Sequence, residues 1–130
     1  MKKFIGVILF LLLAFAFSGP AFTQDRSSGA TNGGGSGKLT FIELGSVNCI
    51  PCKAMQPVMD QITLDYSDQV EVVFYDVWTV ANRSYAKLYN IRVIPTQVFL
   101  DREGKEYFRH EGFFPLEEVL SVLEDGGLKR

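Results

Sequence analysis

Two kinds of hydrophobic pattern divide the chain. Phe4 to Phe17 is an apolar run broken only by Gly6. From Leu39 onward the apolar positions come in short blocks that switch between strand-like runs and helical spacing. Leu39-Thr40-Phe41-Ile42-Glu43-Leu44 reads as a buried strand closed by Gly45. Between Cys49 and Tyr66, Met55, Met59 and Ile62 recur at helical spacing, and Pro57 inside that helix predicts a kink. Val70 to Val77, rich in β-branched and aromatic residues, predicts a second strand. Val80 to Tyr89 predicts a second helix with Tyr85, Leu88 and Tyr89 on its inner side. Gln97 to Leu100 predicts a third strand, Asp101 to Gly104 a turn, and Lys105 to His110 a returning antiparallel strand. Pro115 suits the first turn of a last helix, with Glu117 and Glu118 favouring that end. Leu116, Val119, Leu120 and Leu123 form its apolar stripe, and Gly126-Gly127 stops it.

The order β-α-β-α-β-β-α predicts an α/β fold with a four-stranded mixed sheet and helices on both faces. Its two strand–helix–strand units call for parallel pairing through right-handed crossovers, and the last hairpin adds an antiparallel edge.

The early apolar run belongs to a different kind of segment. Lys2 and Lys3 precede it, and Ser18-Gly19-Pro20-Ala21 follows. That is the layout of a secretory signal peptide over residues 1–21, with cleavage after Ala21. A second possibility is an uncleaved anchor, although the run is shorter than the roughly 20 residues that span a bilayer. The first cysteine is Cys49, so a lipid-modified cysteine directly after the signal is excluded. Residues 22–37 read as a flexible linker: Gln24 to Gly37 holds five glycines and three serines and nothing to bury. The folded domain is expected over residues 38–127. The predicted localisation is periplasmic or otherwise exported, with membrane attachment only if the N-terminal segment is retained.

Composition narrows the function. An apolar content of 47% supports a packed core. Thirteen basic residues against fifteen acidic ones, with no basic cluster, argue against a nucleic-acid partner. Two cysteines cannot staple a disulfide-rich scaffold, and with one histidine they cannot close a structural zinc site.

The chemistry then concentrates at Cys49-Ile50-Pro51-Cys52. The pair lies where a strand gives way to the first turn of a helix. Partial positive charge and unpaired N–H groups there stabilise a thiolate, which marks Cys49 as the attacking nucleophile. The spacing lets both sulfurs meet over one turn, Pro51 stiffens that turn, and Cys52, one turn deeper, is the resolving thiol. An inert structural disulfide, or binding of Cu(I) or zinc with Met55 nearby, remains an alternative use of the two cysteines.

The CxxC after a hydrophobic strand, together with Ile94-Pro95-Thr96 before the third strand, resembles the thioredoxin family over residues 38–125. The resemblance implies a minimal thioredoxin-like fold and a thiol–disulfide oxidoreductase that needs no organic cofactor or metal. It implies a cis peptide before Pro95, with Ile94 and Pro95 presenting backbone to an extended substrate segment. Gly112 matches a glycine of the substrate face, and Pro57 the helix proline. Asn48, Ile50 and Pro51 complete the substrate-binding set beside the cysteines. Glu43, six residues before Cys49, takes the place of a buried acid that exchanges a proton with the resolving thiol. Alternatively it reaches water at a strand end.

Departures from the family are specific. The buried acid is commonly Asp with a Lys on the next strand; here that strand offers Asp76 and no Lys. Asn48 stands where a Trp is common, and Ile50 where a Gly is common. No histidine lies between the cysteines, which favours a reductant over an oxidant or isomerase. The implied partners are a protein disulfide substrate and a membrane or exported redox protein that resets the pair. A competing possibility is a module that holds a peptide in the same groove without turnover. His110 reads as a solvated edge residue, and Met55 and Met59 as core. Trp78, after the second strand, either covers the active-site edge or, as is commoner, is packed, and Phe113 and Phe114 either line the groove or anchor the last helix.

Overall fold

In the computed structural model, residues 37–130 are described; the expected signal peptide and the linker up to residue 36 lie outside them. Strand β1 (Leu39–Gly45) is buried along its whole length, as expected of an apolar run without alternation. It becomes the centre of the sheet. Helix α1 (Ile50–Tyr66) follows, then strand β2 (Val70–Asp76), which pairs parallel with β1. At 1.5 Å per residue α1 is about 25 Å long. That suffices to carry the chain back down the sheet, so β2 starts from the same end as β1.

The second crossover differs from expectation. Helix α2 (Arg83–Leu88) has only six residues, not the ten of Val80 to Tyr89. About 9 Å of helix cannot return the chain to the far end of the sheet. Strand β3 (Thr96–Leu100) therefore begins at the end where β2 finished and runs antiparallel to β1. The parallel pairing predicted for this unit is corrected accordingly. Strand β4 (Glu106–Glu111) pairs antiparallel with β3, giving the order β2-β1-β3-β4. Helix α3 (Leu116–Asp125) closes the fold.

Alternate residues of β1 and β3 serve two cores. On one face Leu39, Phe41 and Phe99 pack with Met55, Met59 and Ile62 of α1 and Val119 and Leu123 of α3. On the other, Ile42, Leu44, Val98 and Leu100 meet Tyr85, Ala86 and Tyr89. Leu88, expected on the inner side of its helix, is 52% exposed; in so short a helix Tyr85 and Tyr89 already fill the inner face by stacking toward Tyr75. The fold also extends past residue 127. Leu128 is buried, and Lys129 is hydrogen-bonded in both directions to the Gln69 side chain. Among the described residues no helix is long and apolar enough to cross a membrane.

Candidate active site

Gly45 ends β1, and four residues later Cys49 forms the N-cap of α1 in an extended conformation. Cys49 Sγ accepts the Cys52 N–H at 3.4 Å, so the sulfur occupies the place of a capping oxygen and satisfies one of the free donors of the first turn. Ile50 and Pro51 are the first helical residues, and Pro51 gives up an N–H that would have had no helical partner. One turn in, Cys52 is disulfide-bonded to Cys49, with Cα atoms 5.2 Å apart. Cys49 is 8% exposed and Cys52 3%, in keeping with an outer and an inner sulfur. On the β2 side Cys52 also borders a cleft of about 330 Å³, with Val47, Lys53, Gln56 and Phe74 around it.

Behind the disulfide lies a buried acid. Glu43 is fully buried on the α1 face of β1, which removes the reading in which it reaches water. Its cross-strand neighbours are Phe74 on β2 and Gln97 on β3. Strand β2 offers no cation to balance it: Phe74 stands opposite, and the strand's charged residues, Glu71 and Asp76, are themselves acids. Asp76 accepts the N–H groups of Val47 and Trp78, bracing the loops on either side of the site. Gln97 Nε2 donates to Glu43 Oε2 at 2.9 Å. Burial pushes the Glu43 carboxyl up to about 8, with the Gln97 hydrogen bond pulling the other way. Glu43 Oε1 has no hydrogen-bond partner. It faces Gly45 together with Cys52: a Cβ on Gly45 would stand 3.1 Å from Cys52 Sγ and 3.4 Å from Glu43 Oε1. Glycine is what lets the sulfur and the carboxyl share this space.

The same end of the sheet carries an edge of backbone. The Ile94–Pro95 peptide is cis, and Pro95 precedes Thr96, whose register partner is Leu44. Continuing that register sets Pro95 beside Gly45. Gly112, at φ +95°, donates its N–H to the Pro95 carbonyl at 2.8 Å. Arg92 and Glu111 form a two-point ion pair at 3.2 and 2.9 Å, tying the segment before Pro95 to the end of β4. Exposed apolar side chains stand at this end: Val47, Ile50, Trp78, Val93 and Phe113. Trp78, Val93 and Ile94 border a cleft of about 350 Å³.

A family model described as a thioredoxin-like domain matches residues 30–127. The chain belongs to the thioredoxin-like family. Thioredoxin 1 of Synechococcus elongatus is 38% identical over 76 residues, covering 58% of this chain and 68% of that protein. A thioredoxin of Staphylococcus aureus is 32% identical over 86 residues, covering 66% and 80%. Among solved structures, chloroplastic thioredoxin z aligns with a TM-score of 0.61 at 22% identity, covering 70% of this chain and 80% of that one. The exposed lipoprotein thioredoxin of Streptococcus pneumoniae aligns at 0.59 and 24%, covering 70% and 87%. With Cys49 and Cys52 in the CxxC position, the protein is a thioredoxin-like thiol–disulfide oxidoreductase, and protein disulfides are the substrates of its class.

Within this thioredoxin-like site the expected residues are distributed unevenly. Cys52 and Glu43 meet around Gly45 with Cys49 bonded to Cys52, and Pro95 and Gly112 are joined by a hydrogen bond. Asn48, Ile50 and Pro51 are exposed around the start of α1. Ile94 is half-buried, packed against the second core and bordering the Trp78 cleft. Phe113 is 48% exposed whereas Phe114 is in the core, so the two phenylalanines divide the roles considered for them. His110 is not simply solvated: its ring stacks on Phe114 at 4.1 Å. Met55 and Met59 are core residues, and Met55 Sδ accepts the Phe114 N–H instead of facing the cysteines. Of the two places open to Trp78, edge of the site or packed interior, the structure has the first: it is 63% exposed at the active-site end. Gln97 escaped the sequence reading, which has it only as the start of a strand. Its one signal was an amide two residues before Phe99 in a short apolar strand, which places it on the core face.

Proposed function

We propose that this protein is an exported reductant of protein disulfides. The Cys49 thiolate attacks one sulfur of the substrate disulfide. A Cys49–substrate disulfide forms, and the other substrate sulfur leaves as a thiolate that takes a proton. Cys52 then gives its proton to Glu43 and attacks Cys49 Sγ. The second substrate sulfur leaves, the substrate has gained two electrons, and Cys49–Cys52 is a disulfide again. Ile94, Pro95 and Gly112 receive an extended substrate segment by strand addition, with Asn48, Ile50 and Pro51 on the other side of the sulfurs. A second redox protein, exported or set in the membrane, returns the electrons. No organic cofactor or metal takes part.

The observation that carries this reading is Cys49 at the N-cap of α1, with Cys52 one turn in and both Cys52 Sγ and Glu43 Oε1 bordering the space over Gly45. A carboxyl at about 8 is well matched to an ordinary thiol at about 8.5, so a proton passes between them with little cost in either direction. The absence of histidine between the cysteines supports the reducing direction. The test is the reduction potential of the pair, read by thiol trapping across redox buffers. A value near about −270 mV is expected, and one near about −120 to −180 mV contradicts the direction. The export part rests on the apolar pattern of residues 1–21.

A further inference from the structure

Gln97 is fully buried in β3, on the same face as Phe99, and is flanked across the strands by Glu43 and His110. An amide in such a place costs free energy unless it is fully hydrogen-bonded, and its Oε1 has no partner. A leucine or methionine would fill the volume without that cost. The two Nε2 hydrogens have distinct uses. Nε2 is 2.9 Å from Glu43 Oε2 and 3.1 Å from the Gly112 carbonyl. Gly112 in turn donates its N–H to Pro95 O at 2.8 Å. An unbroken series of hydrogen bonds therefore runs from the backbone of the substrate groove to the acid beside Cys52.

We propose that Gln97 is a positioning residue for the resolving step, holding the Glu43 carboxyl at Cys52 and joining it to the Gly112 end of the substrate groove. This rests on the reading of Glu43 as the proton partner of Cys52. The surroundings leave the role to Gln97. Phe74 faces Glu43 from β2 and Cys52 from α1; His110 lies beyond Gln97 on β4. Lys53 is exposed on α1, and Asp76 is engaged by Val47 and Trp78. The N–H group favours the ionised carboxylate more than the neutral acid. Gln97 thus supports the ionised, proton-accepting form of Glu43 in a site whose burial favours the neutral acid.

The test compares Gln97→Met, Glu43→Gln and the double variant in the full chain. Two quantities are followed: the carboxyl carbon of Glu43 by NMR across pH, and the pH profile of insulin disulfide reduction. In Gln97→Met the Glu43 midpoint and the profile are expected to move up together by about one pH unit. In the Glu43→Gln background, Gln97→Met should leave the profile unmoved. An unchanged midpoint and profile in Gln97→Met overturn the proposal, while an effect of Glu43→Gln leaves the acid reading standing. If Glu43→Gln itself leaves the profile unaltered, the acid reading falls and this proposal with it. Should Gln97→Met not fold, the native chain decides. The Gln97 side-chain amide and the Gly112 carbonyl carbon should titrate with the Glu43 midpoint, and shifts independent of pH would overturn the link.

Discussion

A carboxyl raised to about 8 inside the fold makes stability depend on pH in a direction opposite to that of a salt-bridged acid. The unfolded chain releases the Glu43 proton near the ordinary carboxylate range, whereas the folded chain keeps it until about pH 8. Across that window the folded state binds more protons, so stability falls as pH rises. The full stabilising effect is present below pH 4.5, and each pH unit between about 5 and 8 removes about 1.4 kcal/mol through this one group. Thermal or denaturant unfolding of the oxidised protein should show the decline, and Glu43→Gln should flatten it; equal slopes in the two proteins would contradict the buried acid. Gly45 supplies a second residue-level expectation. In Gly45→Ala the new Cβ would crowd Cys52 Sγ at 3.1 Å and Glu43 Oε1 at 3.4 Å. The variant should fold and resolve mixed disulfides more slowly, seen as accumulation of the intermediate in acid-quenched samples. At this scale the CxxC spacing marks Cys49 and Cys52 in the sequence, whereas Glu43 was reached only through the family resemblance and could equally have faced water. Gln97 was not legible, because its meaning comes from Glu43 and Gly112, which are remote in sequence and meet it only through the pairing of β3.

Elements set how the groove is built. Among the described residues, hydrophobic runs located β1, β2 and β3 and helical spacing located α1 and α3, because burial controls both signals; β4 was found from the turn before it. The direction of β3 was not legible from the order of elements. It depended on α2 being six residues long, too short to return the chain across the sheet. That reversal brings Pro95, just before β3, next to the end of β1 and so to the side of the cysteines. Gly112 holds the other side of the groove at φ +95°, with open space where a Cβ would lie. Gly112→Ala should therefore destabilise through backbone strain alone, by about 1–2 kcal/mol, measured by denaturant unfolding. Trp78 stands on the loop after β2, exposed beside Val93 and Ile94. Trp78→Ala should raise KM for insulin reduction roughly tenfold, the scale of an aromatic anchor, and leave kcat and the reduction of a small disulfide unchanged. An equal loss with both substrates would assign Trp78 to the fold instead.

At the scale of the whole molecule, a thioredoxin-like domain follows a Gly/Ser-rich segment and an apolar N-terminus. The proposal of export predicts that residues 1–37, fused to a phosphatase active only outside the cytoplasm, give an active reporter. An inactive reporter would contradict export by this segment. Within the domain, the sulfurs, the cis-Pro95 edge and the exposed apolar side chains all lie at one end of the sheet. The central claim is that Cys49 attacks and Cys52 resolves. The most direct measurement is covalent trapping of a disulfide-bonded protein substrate by the reduced single-cysteine variants. Cys52→Ser should hold the substrate in a stable mixed disulfide that dithiothreitol releases, and Cys49→Ser should hold none. Retention by Cys49→Ser alone, or by neither variant, would contradict the account.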